Sequence, residues 1–101
     1  MKKYACNRLY LYNRFFNLAW VVIDAEGRVQ GFESFTEEKP GTEWLGGVIV
    51  LSDKETAVPT RNFKEFLSLM TASRQEVYAW HLSDFDFQKE ELTSRSIIRR
   101  L

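Results

Sequence analysis

The chain has 101 residues with 14 Lys+Arg against 14 Asp+Glu, a formal net charge of zero, 45% hydrophobic residues and 15% aromatics. That length supports one hydrophobic core, so residues 1–101 read as a single domain, and the apolar content excludes a disordered chain. The balanced charge argues against a dedicated nucleic-acid binder, which needs a surplus of cations facing phosphates.

The N-terminal stretch MKKYACNRLYLYNRFF starts with two lysines, but Asn7, Arg8, Asn13 and Arg14 interrupt any apolar run. Neither a signal peptide nor a membrane span fits this pattern. The single cysteine, Cys6, leaves no partner for an intramolecular disulfide and suits a reducing compartment. The expected location is cytoplasmic.

In YACNRLYLY a period of two places Ala5, Leu9 and Leu11 on one side of a strand. Tyr4, Cys6, Arg8, Tyr10 and Tyr12 fall on the other. Asn13 and Arg14 permit a bend, after which LAWVVID (18–24) is apolar on both faces and reads as a central strand covered on both sides. Asp24-Ala25-Glu26-Gly27 should close a hairpin, because Gly27 takes a positive φ at no steric cost. In the returning strand Val29 and Phe35 share a parity that Phe32 breaks, which predicts a bulge near Gly31 or Glu33.

A polar loop built on Pro40-Gly41 precedes EWLGGVIVLS, a third buried strand. Gly46 and Gly47 inside it point to a bend or to the close approach of another backbone. A phosphate loop would place its glycines after a strand and before a helix, the reverse of what is found. After the loop DKETAVPTRN, Phe63, Phe66, Leu67 and Met70 recur at helical spacing, with Asn62 as cap and Glu65 three residues on. This predicts one amphipathic helix near residues 62–72, held by packing. QEVYAWHL reads as a fourth strand, and EELTSRSIIRRL fits either a strand or a short C-terminal helix. The expected fold is therefore mainly β (α+β), a small antiparallel or mixed sheet or sandwich of about four to six strands.

The order NRLYLY, LAWVVIDAEGRVQGF, TEWLGGVIVLS over residues 4–52 resembles the small N-terminal β-domain of amidohydrolase-superfamily enzymes of the adenosine and cytosine deaminase kind. The resemblance implies a hairpin turn at Asp24 to Gly27 and a third strand at Trp44 to Leu51. In that family a proline–glycine step and a His-x-His metal pair follow. Here the chain reads Ser52-Asp53-Lys54-Glu55, so no catalytic residue carries over and an accessory β-module is implied instead.

YAWHLSDFDF (78–87) holds the only histidine. A zinc site needs three or four converging ligands, and a strand separates His81 from Asp84 and Asp86 by parity. A hydrogen-bonded structural histidine is the plainer reading. The alternative is a ligand-binding pocket formed by His81, Trp80, Tyr78 and Asp84. Cys6 with His81 is the only thiol–imidazole pair available to a nucleophilic site, and a lone buried cysteine is commonly inert. Asp84-Phe85-Asp86-Phe87 lacks the glycine and oxygen spacing of a calcium loop, so Ser83 or Asp84 should cap a turn while the phenylalanines return to the core. Arg95, Arg99 and Arg100 form a basic cluster that could hold an anion, with Glu90 and Glu91 near enough to neutralise it. Tyr10, Tyr12, Arg14, Phe15 and Phe16 resemble a stacking platform for single strands, although a core or dimer surface explains them equally.

No catalytic residue, metal or cofactor is expected. The leading expectation is a non-catalytic module acting through protein–protein contact, as a homodimer or other homo-oligomer, because three Trp, four Tyr and eight Phe are hard to bury in so short a chain.

Overall fold

The structure is a computed structural model that describes residues 1–11, 14–35, 41–56, 60–70 and 77–101. Tyr12, Asn13, the loop on Pro40, the expected helix end at 71–72 and the residues Gln75 and Glu76 lie outside the described residues. The element order is β1 (Lys2–Leu11), β2 (Arg14–Ile23), β3 (Val29–Ser34), β4 (Thr42–Trp44), β5 (Val48–Ser52), α1 (Phe63–Leu69), β6 (Tyr78–Leu82) and β7 (Ile98–Arg100). All seven strands join one mixed sheet in the order β3-β2-β1-β5-β6-β7, with β4 also paired to β1. The mainly β, α+β class is thus the one the sequence predicts.

The hairpin between β2 and β3 turns on Asp24. Its Oδ1 accepts from the backbone N–H of Glu26 and of Arg28 at 2.9 Å each, and its Oδ2 accepts from Gln30 Nε2 at 2.7 Å. Gly27 adopts φ +83° there. One residue further, Val22 faces Gly31 while Ile23 faces Val29, so Gln30 is the extra residue of a bulge. That bulge turns Val29 and Phe32 to the same packed cluster, as the broken parity requires.

The third apolar run is two strands. β4 pairs in parallel with Lys3 to Ala5 and β5 in parallel with Arg8 to Tyr10, with one residue more on the β4–β5 side. The break falls at Gly46 and Gly47, at φ +69° and +62°. A Cβ on Gly47 would lie 2.5 Å from the Leu82 carbonyl oxygen, so another backbone does approach closely.

This break has a counterpart in β1. The backbone N–H groups of Asn7 and Arg8 both donate to the Gly47 carbonyl, at 3.1 and 3.3 Å. Two donors on one acceptor mark a bulge, and Leu18, opposite Asn7 on β2, has φ +49°. The alternation therefore changes phase at Asn7. Tyr4 and Cys6 face the same cluster as Leu9 and Leu11, whereas Ala5 does not. Strict period-two reading placed Ala5 with Leu9 and Leu11, which the bulge corrects.

The sheet curls on itself. The start of β3 meets the start of β6 through a bridge between Arg28 and Tyr78, and the Val29 N–H donates to Val77 O at 2.7 Å. The result is a partly closed barrel whose interior is filled by Cys6, Leu9, Ala19, Val21, Ile23, Ile49, Leu51 and Ala79, none more than 3% exposed. On the outside, Phe63, Phe66 and Met70 of the α1 segment pack on Tyr10, Val48, Val50, Trp80 and Leu82. β5 and β6 are buried on both faces for this reason. β2 departs from the expectation that both its faces are covered. Ala19, Val21 and Ile23 face the interior, while Trp20 and Val22 are half-buried outside, where α1 does not reach.

Asn62 caps α1 as predicted, its Oδ1 accepting from the Glu65 N–H at 2.9 Å. The Asn62 N–H donates instead to Thr60 Oγ1 at 3.2 Å, so Thr60 takes the return half of the box. The C-terminal segment forms the strand β7 and not a helix. Asp86 Oδ1 accepts from the N–H groups of Gln88 and Lys89, each at 3.0 Å, and Asp86 bridges to Glu91. These local turn bonds outcompete helical ones.

Candidate functional site

His81 lies on β6 opposite Ile49 on one side and Arg99 on the other. The ring is 5% exposed, and Nε2 is 3.0 Å from the Gly46 carbonyl oxygen. Burial holds the imidazole pKa below its ordinary 6.5, and the Arg99 charge adds to that, against the opposing pull of the Gly46 bond. The neutral ring with its proton on Nε2 donates to Gly46. His81 is thus a tie between β6 and the β4–β5 break.

The other three residues of the expected pocket lie elsewhere. Tyr78 and Trp80 share the opposite side of β6, where the Tyr78 hydroxyl donates to Glu55 Oε1 at 2.9 Å and Trp80 Nε1 donates to Lys54 O at 3.0 Å. Asp84 sits past the strand end, exposed and at φ +49°. Its carbonyl accepts from the hydroxyls of Thr93 and Ser96, each at 2.9 Å. Tyr78 and Trp80 are neighbours, then, and neither His81 nor Asp84 joins them.

The three C-terminal arginines do not converge either. Arg99 stands across from His81, and the Arg100 guanidinium lies 5.2 Å from the Tyr78 ring on the other side of β7. Arg95 borders a shallow depression with Asp84, Phe85, Thr93 and Ser94. Cys6 is fully buried, its thiol donating to Arg8 O at 3.3 Å, and desolvation pushes its pKa up to about 12. A thiol in that state is not a nucleophile near neutral pH. Among the described residues no group of three His, Cys, Asp or Glu side chains could hold a metal ion, and no helix is long and apolar enough to cross a membrane.

Two features had no clear mark in the sequence. The Arg8 guanidinium is stacked between Phe15 and Phe87, 4.7 and 5.3 Å from the ring centroids. Its Nη1 donates to Tyr10 Oη at 3.3 Å and to Glu90 Oε1 at 3.2 Å. The shared side of Arg8 and Tyr10 is legible from their spacing, but Phe87 and Glu90 reach them only through the fold. The second feature is a pair of exposed apolar side chains flanking β1 near Asn7, Leu18 on β2 at 41% and Trp44 on β4 at 48%. The Trp44 indole and the Asn7 side chain both border Gly46 there.

No family model, curated protein or solved structure matches the chain.

Proposed function

We propose that the protein is a non-catalytic β-rich contact module that associates with a second copy of itself through Trp44 and Leu18, which flank the β1 bulge. The observation that carries this reading is the exposure of Trp44 and Leu18 beside a backbone fixed by the Asn7–Gly47 hydrogen bonds. Most of the aromatic load is taken up internally. Among the described aromatics only Phe15 and Trp44 are exposed, and Phe15 already stacks on Tyr10 and Arg8. Trp44 therefore stands out as an aromatic anchor of the kind enriched at interface cores. The formal net charge of zero puts no overall repulsion between two copies.

A buried, unreactive Cys6 and a structural His81 support the non-catalytic part of the reading, and the single thiol suits a cytoplasmic setting. An accessory module is also what the resemblance to the amidohydrolase β-domain implies.

Sedimentation velocity over a concentration series tests the proposal. The wild type should show a reversible dimer, and Trp44→Ser should weaken it by roughly ten-fold or more without lowering the melting temperature. A strictly monomeric wild type at high concentration would sink the self-association reading.

A further inference from the structure

Residues 61–64, where the chain enters α1, and residues 89–92 line a cleft of about 610 Å³, within the size range of small-molecule sites. Arg61 ties the two walls together. Its Nη2 donates to Thr93 O at 2.9 Å and to Ser96 O at 3.0 Å, which holds the guanidinium in one place. Both acceptors are neutral carbonyls, so its charge is not cancelled. Among the described residues its Nε and Nη1 have no hydrogen bond. Phe63 and Leu92 supply the apolar part of the lining, and both pack with the outer cluster.

The charges along this cleft do not balance. Its lining carries Arg61, Lys64 and Lys89 against Glu90 and Glu91. The Glu90 carboxylate is held by Arg8, at 3.2 Å and from outside the lining. Among the described residues Lys64, Lys89 and Glu91 form no ion pair. With Arg8 counted beside Glu90, four cations stand against two carboxylates. The Glu65 and Phe66 N–H groups at the start of α1 are already taken by Asn62, so the positive sign comes from side chains. We propose that this cleft binds a small organic phosphate monoester, with the phosphate among Arg61, Lys64 and Lys89 and the hydrocarbon body against Phe63 and Leu92. A phosphate near its second charge, with three acceptor oxygens, suits three cations better than the single charge and two oxygens of a carboxylate. The site shares no residue with Trp44 and Leu18 and stands independently of the self-association reading.

Phenyl phosphate, titrated into the isotopically labelled full chain at mildly alkaline pH and constant ionic strength and followed by amide chemical shifts, is the test. Saturable shifts at Asn62, Lys64, Lys89 and Leu92 are expected. Lys64→Gln and Lys89→Gln combined should weaken binding by roughly ten-fold, and Glu91→Gln should tighten it by roughly two-fold. All three side chains are exposed, so unchanged shifts in the barrel will show that these variants remain folded. Inorganic phosphate should bind more weakly than the ester, because it leaves Phe63 and Leu92 uncovered. The proposal is overturned by an absence of saturable shifts or by shifts that chloride reproduces. Inorganic phosphate that binds as tightly as the ester, or a double variant that binds the ester as tightly as wild type, overturns it equally.

Discussion

His81 and Gly46 are 35 positions apart in the chain, and the imidazole Nε2 of one lies 3.0 Å from the carbonyl oxygen of the other. The next carbonyl, that of Gly47, accepts from Asn7 and Arg8, and the Gly47 N–H donates to Asn7 Oδ1 at 2.9 Å. The break between β4 and β5, the bulge of β1 and the histidine of β6 are thus one hydrogen-bonded node.

Gly47→Ala should be among the most damaging single substitutions. Its Cβ would meet the Leu82 carbonyl at 2.5 Å and His81 Nε2 at 3.3 Å, at a φ of +62°. A cost on the order of 3 kcal/mol is expected from backbone strain plus displacement. Gly31→Ala, with no atom within 4 Å of the added Cβ, should be close to neutral. Urea unfolding of the two variants side by side checks the contrast.

The pH dependence of stability should carry a step assignable to His81. Its folded-state pKa lies below the ordinary 6.5, chiefly through burial, so between that lower value and 6.5 the unfolded chain binds more protons. Stability is then flat above pH 6.5 and falls as the pH drops below it. Asp24 gives a separate step, because the Arg28 N–H, ahead of its other partners, holds its carboxyl below 3.8. Its contribution is present above 3.8 and is lost as the pH falls through the folded value. His81→Gln should erase the upper step and keep the lower one, as read by unfolding midpoints from neutral to acid pH.

Arg8 and Glu90 form an ion pair whose halves should differ in weight. Glu90 is 53% exposed at its side chain, so Glu90→Gln should change stability by no more than about 0.5 kcal/mol. Arg8→Ala also removes the stacking on Phe15 and Phe87 and the packed stem, for a loss of about 1–2 kcal/mol. Equal losses from the two variants would mean that the aromatic contacts contribute little.

Cys6 should report global unfolding. The thiol is fully buried with its pKa pushed up to about 12, so a thiol reagent at mildly alkaline pH should label it only when the barrel opens. Labelling rates across a denaturant series should follow the unfolding equilibrium. Fast labelling of the native protein would show that the interior opens locally.

The local elements of this fold were legible because their chemistry lies within a few residues. Asp24 and Gly27 make the hairpin turn and Asn62 caps the helix, each through bonds or φ values within a few residues, whereas the bend expected at Gly46 and Gly47 inside one strand is a break between β4 and β5 held by the distant Asn7, Arg8 and His81. The strand that carries His81 ends at Leu82, so the alternation expected to set Asp84 and Asp86 on its other side does not extend to them. What alternation could not give was its own phase error at Asn7, since a bulge is set by backbone groups donating to a distant carbonyl and not by the side chain that carries them. The same applies to the C-terminal strand, whose partners on β6 are identified only once the chain is folded.

By itself, then, the sequence determined the β-rich class, the turn, the cap and the close approach of another backbone at the glycine pair, and it excluded a metal cluster built on several histidines or cysteines. Only the tertiary structure decided that β1 pairs in parallel with β4 and β5 and that β3 meets β6 to close the barrel. The physical reason is that main-chain hydrogen bonds between strands are the same for every residue type, so long-range pairing is chosen by how the whole set of apolar faces packs.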